Sequence, residues 1–134
     1  MSYEMTILAL VTLFYMFSWL PVVLAKFQAY GGRWLLSNRA TDGLPPLPEL
    51  GQRAVHAQEN LKESYPAFAV AVLLLAFSGG FTHTTAMAAL VFLLARLVHM
   101  PADIVGMPWL RTSSWGVGFV ATLYLLIMAL AALV

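Results

Sequence analysis

The chain has 134 residues, of which 61% are hydrophobic and only 10% charged, with a net charge of +1. A soluble domain carries about 25% charged residues, so there is too little charge here for a water-facing surface, and the near-neutral balance offers nothing to a nucleic acid. Cysteine is absent, which excludes disulfides, thiolate metal sites and a cysteine nucleophile; any thiol chemistry must use a thiol carried by a ligand.

This is the composition of an integral membrane protein, and the length suits one domain over residues 1–134. A spanning helix needs about 20 mainly apolar residues. In the opening MSYEMTILAL, Glu4 stands where a signal peptide would place lysine or arginine, and the apolar run is longer than a signal core. The first predicted helix, about residues 5–28, is therefore a permanent span, with Pro21 bending its last turn. Gly31-Gly32 ends it, and the proline-stiffened GLPPLPEL leads into the second helix, about residues 50–78. A tight turn in SGGFTHTT precedes the third, about residues 82–101, and a fourth covers about residues 112–134. The predicted fold is all-α, a membrane bundle of four spanning helices.

The middle helices carry the information. No Asp, Glu, Lys or Arg occurs from Ser64 to Ala95, but the turn divides that stretch into halves too short to cross alone. Each helix must borrow length from its polar flank, so the polar residues lie in the helices and not in loops. Lys26, Arg33, Arg39 and Arg53 cluster around the first connection, and Arg96 and Arg111 flank the third. The positive-inside bias places both on the cytoplasmic side and both termini opposite. A bacterial inner membrane suits the compact loops, with an endomembrane location as the eukaryotic alternative.

On the second helix Arg53, His56, Asn60 and Glu63 fall inside an arc of about 80°. Glu59 can pair with Lys62 on another face. Arg96, His99 and Asp103 share a face of the third helix, although Pro101 interrupts and can leave Asp103 beyond the helix end. Charged groups at membrane depth cost roughly 2.5 kcal/mol or more each and face a partner or a wet cavity. The bland reading is an internal ion-pair network joining the two helices; the sharper one is a polar ligand site at the cytoplasmic boundary. Two histidines without a third ligand make a poor metal site, and none is assigned.

Four short helices, a long proline-containing first connection, and the run Arg53, Ala57, Asn60, Glu63, Pro66 resemble the MAPEG family, membrane-associated proteins in eicosanoid and glutathione metabolism. ALVFLLARL, with Arg96 at the family's third-helix arginine, extends the resemblance over nearly the whole chain, nearest in motif to the leukotriene C synthase and microsomal glutathione transferase type. The resemblance implies a homotrimer that holds glutathione as co-substrate between subunits near the cytoplasmic side. Beside it, a lipid-side groove takes a lipophilic small molecule or lipid. It implies glutathione-binding roles for Arg39 (or Arg33), Arg53, His56, Gln58, Asn60, Glu63, Arg96 and His99. It makes Arg111 the catalytic candidate, favouring the thiolate of a thiol whose free pKa is roughly 8.5.

There are departures. His56 stands where the synthase branches have an arginine, and His99 and Asp103 where they have tyrosines. Asp103 would repel a glutathione carboxylate unless Arg96 neutralises it. The expected function is thus a membrane glutathione transferase or peroxidase acting on lipophilic electrophiles. The alternatives are a non-catalytic protein on the same scaffold, binding lipid or serving in a larger complex, and a small channel lined by the stripe.

Overall fold

The computed structural model describes residues 2–134. Six helices follow in chain order: α1 (Tyr3–Met16), α2 (Leu20–Tyr30), α3 (Gly32–Leu35), α4 (Glu49–Ser78), α5 (His83–Val105) and α6 (Pro108–Leu133). Together α1 and α2 form the first of four segments long and apolar enough to cross a membrane; α4, α5 and α6 are the other three. Among the described residues there is no strand.

The first span is broken at its middle, not bent at its end. Pro21 has no N–H to offer the carbonyl of Phe17 four residues earlier. The Leu20 amide takes that carbonyl instead, at 3.1 Å, and Ser18 Oγ donates to the Tyr15 carbonyl at 2.7 Å. The expected bend in the last turn is therefore corrected to a break around residues 17–19.

Elsewhere proline does not end a helix. Both Pro66 and Pro101 lie inside continuous helices, so Asp103 belongs to α5. Gly106, at φ 86°, ends α5, and Pro108 opens α6 at its first position, where a missing N–H costs nothing. Thus α6 starts four residues before the predicted Thr112 and takes in Arg111. Within its polar start the Ser114 hydroxyl is satisfied inside the helix, its Oγ donating back to the Leu110 carbonyl at 2.6 Å. At the other end of the bundle, Gly79 terminates α4 in the left-handed conformation and a Thr82–Thr85 capping box starts α5.

Packing places α4 and α5 between the first span and α6, whose backbones do not approach each other. Small residues let the helices approach closely, as membrane interfaces require: Ala71, Ala89, Ala121 and Ala129 are all buried. Phe68 of α4 stacks on Phe92 of α5 with ring centroids 4.0 Å apart. Tyr15 stacks on Tyr65, whose hydroxyl meets Thr12 Oγ1 at 2.7 Å. Near the chain's start, Glu4 is buried and accepts from Thr85 Oγ1 at 2.5 Å. Glu4 and α6's last turn thus lie at the α4–α5 turn, opposite the two arginine-rich connections.

The first connection is ordered by its own hydrogen bonds. Trp34 Nε1 donates to the Ala40 carbonyl at 2.9 Å and Tyr30 Oη to the Pro45 carbonyl at 2.8 Å.

Candidate functional site

A groove runs between α4 and α6, and α5 forms its floor. Near the connections it opens as a polar cleft of about 240 Å³ lined by His56, Asn60, His99, Arg111, Thr112 and Trp115. Asn60 and Trp115 are shared with a second cleft of about 270 Å³. That one begins with Glu63 and Arg96 and continues past Gly118 and Thr122 to Phe119, Leu123 and Leu126. The groove is polar at the end near the connections and apolar toward the bilayer's middle.

Arg96 occupies the floor and is only 2% exposed. Its Nη1 donates to Asn60 Oδ1 at 2.7 Å, its guanidinium carbon lies 5.5 Å from the Phe92 ring centroid, and its Nε has no hydrogen-bond partner among the described residues. Among the described residues no carboxylate pairs with it. Glu63 lines the same cleft but is exposed. Gly118 faces the guanidinium across the groove: a Cβ there would lie 3.6 Å from Arg96 Nε, in ordinary contact.

Asp103 is 1% exposed, and its partners differ from the expected one. Arg96 does not neutralise it. His56 Nδ1 lies 2.6 Å from Asp103 Oδ2, and Arg111 Nη1 lies 3.6 Å from Oδ1. The carboxylate therefore faces two groups of the polar cleft, one from α4 and one from α6. His99, buried on the same α5 face, lines that cleft too.

Of the residues singled out in the sequence, His56, Asn60, Glu63, Arg96, His99 and Arg111 are brought to the groove. Three others line neither cleft. Arg53 donates to Glu49 Oε1 at 2.7 Å and to the Ile104 carbonyl at 2.9 Å, covering Gly106 in the α5–α6 turn. Arg39 is exposed in the first connection, its Nε bonded to the Leu35 carbonyl at 2.9 Å. Gln58 is half-buried on another face of α4. The Glu59–Lys62 pair does not close; both side chains are exposed. Beyond Arg111 the α6 wall was missed: Trp115 reads as an interfacial aromatic, yet Arg111, Trp115, Gly118 and Thr122 recur at helical spacing and mark a face.

The family model described as the MAPEG family matches residues 4–131. The chain belongs to the MAPEG family. It is an integral, multi-pass membrane protein with four spanning segments. No curated protein matches it. Within the MAPEG match lie both walls and the floor of the groove, from His56 to Leu126. This MAPEG chain thus combines in one groove a cation with no counter-ion among the described residues, a histidine–carboxylate contact and an apolar continuation.

Proposed function

We propose that the protein is a membrane-bound glutathione-dependent transferase or peroxidase acting on lipophilic electrophiles. The observation that carries this is Arg96. A guanidinium at membrane depth is held by one amide oxygen and a ring face, with no acid paired to it, in a cleft where Asn60 and Glu63 also stand. Such a cation calls for an anion that arrives, and charge-assisted bonds from arginine suit a carboxylate well.

Glutathione carries two carboxylates and an ammonium, so Arg96 and Asn60 would take a carboxylate and Glu63 the ammonium or an amide. Its thiol would lie toward Arg111, whose charge favours the thiolate, while the apolar end of the groove offers the electrophile a place. Exposure of Glu63 within a spanning helix supports a homotrimer in which a neighbouring subunit closes the groove. The groove end near the connections would be cytoplasmic, with the chain's ends on the other side.

Titration calorimetry of glutathione into the detergent-purified protein, with ultraviolet thiolate absorbance, tests the reading. Saturable binding with a thiolate signal at neutral pH is expected, and turnover of a lipophilic electrophile with it. Absence of binding sinks the proposal.

One observation favours a non-catalytic reading. Asp103 stands beside Arg111, and a carboxylate there offsets the positive potential that a thiolate needs. Glutathione binding without any thiolate signal or turnover would decide for it.

A further inference from the structure

We infer that His56, oriented by Asp103, is the base that takes the proton from the thiol in this groove, and that the activated state is a thiolate–imidazolium pair. The inference rests on the glutathione reading above and deepens it.

The His56 ring bridges the polar cleft and a buried acid. With Asp103 ionised, Nδ1–H is the donor in the 2.6 Å contact, and the hydrogen bond fixes the tautomer that leaves the Nε2 lone pair free. The side chain is 59% exposed on the protomer and lines the cleft, so the free nitrogen is accessible to a ligand. Asp103, almost wholly buried, can neither turn away nor resolvate. A base held by an orienting acid, beside a site where a nucleophile can stand, is the general arrangement for activating a weak nucleophile.

The step balances within the site. The thiol S–H bond breaks, both electrons stay on sulfur, and the proton passes to Nε2. The imidazolium remains hydrogen-bonded to Asp103 through Nδ1–H. Arg111 then faces the new thiolate and Asp103 faces the new imidazolium, so no charge created in the step lacks an opposite one nearby. The groups around His56 that bear on its charge are Asp103, His99 and Arg96 from α5 and Arg111 from α6. On α4 itself Arg53 and Glu59 are a turn away and Glu63 two turns; the first span carries Lys26, Tyr15 and Tyr30 and, at the far end, Glu4 and Tyr3. Asp103 is a positioning residue in this scheme and His56 the catalytic one.

The test compares the full-length wild-type protein with His56→Ala and His56→Gln, using glutathione itself as the probe. Three quantities are read: affinity by calorimetry, thiolate absorbance, and protons released to buffer on binding, from titrations in buffers of different ionisation enthalpy. In the wild type, thiolate should appear without release of a matching proton, because His56 keeps it. Both variants should still bind glutathione and lose the neutral-pH thiolate signal. Their turnover should fall by roughly 100-fold, the scale of general-base catalysis. Added imidazole should restore part of the His56→Ala loss, and Asp103→Asn should shift the pH profile of turnover, which a purely structural role would leave in place.

Wild-type binding with a proton released for every thiolate formed overturns the inference and leaves the glutathione reading standing. So does an unaltered thiolate signal in either variant. Wild-type binding with no thiolate at all overturns the inference and, if turnover is absent too, decides for the non-catalytic reading. No binding to the wild type overturns both. Should His56→Ala fail to fold, His56→Gln and the wild-type proton count still decide.

Discussion

Arg96 donates to Asn60 across the α4–α5 contact at 2.7 Å, and among the described residues that amide oxygen is the only hydrogen-bond acceptor its guanidinium has. A buried cation so weakly served is costly, which separates its value to the fold from its value to a ligand. Arg96→Met should leave the melting temperature unchanged or raise it, because an apolar side chain of similar length replaces an unpaired charge. The same variant should weaken glutathione binding by roughly 10- to 100-fold, the range for a charge-assisted hydrogen bond. A variant that unfolds instead would show that the arginine serves structure.

Asp103 has two neighbours at different distances, and the difference should be measurable. A double-mutant cycle on His56 and Asp103, read by thermal unfolding, should give a coupling of about 1 kcal/mol or more for the 2.6 Å contact. The Arg111–Asp103 cycle, at 3.6 Å and with Arg111 half-exposed, should give no more than about 0.5 kcal/mol. Equal couplings would mean that Arg111 lies closer to Asp103 in the membrane than 3.6 Å.

At the opposite end, the Glu4 carboxylate is buried against Thr85. Thr85→Val keeps the shape and removes the hydroxyl, so it should destabilise by about 1–3 kcal/mol, the penalty for an acceptor left without its donor. Glu4→Gln, which still accepts from Thr85, should cost less. Unfolding curves that rank the two the other way would contradict this account.

Gly118 and Gly80 look alike in sequence and differ in space. A Cβ at Gly118 meets Arg96 at an ordinary 3.6 Å, whereas one at Gly80 would lie 2.7 Å from Ala132 Cβ. Gly118→Ala should therefore fold normally, and Gly118→Leu should fold but fill the groove, weakening glutathione at least tenfold, about 1.4 kcal/mol. Gly80→Ala should cost roughly 1–3 kcal/mol through overpacking in the turn. A thermally neutral Gly80→Ala would show that the last turn of α6 can shift aside.

Much of this arrangement could be read from the chain. Apolar length and the missing charges located four spans, and helical spacing put His56, Asn60 and Glu63 on one face of α4. What escaped was set by long-range packing. Asp103 belongs to α5 because a proline inside a membrane helix is tolerated when neighbouring helices support it, and Pro101 alone suggests a stop. The partner of Asp103 depends on how far α6 extends toward the connection, which Pro108 decides by serving as a first-turn residue. Arg53 is on the right face yet one turn too near the connection, and it is spent on Glu49 and the Ile104 carbonyl. Glu4 is visible as a lone acid heading an apolar helix, but its partner lies 81 residues away.

The break around Ser18 has a bearing on how the first span meets the bilayer. Neither piece, 14 residues before it and 11 after, reaches the roughly 20 needed to cross alone, so the discontinuity must reside within the hydrocarbon. The upper piece leans on α4 and α5, the lower on α4 and α3. Each takes its inclination from different neighbours, and an oriented-sample spectroscopic measurement along this one span should register two tilts.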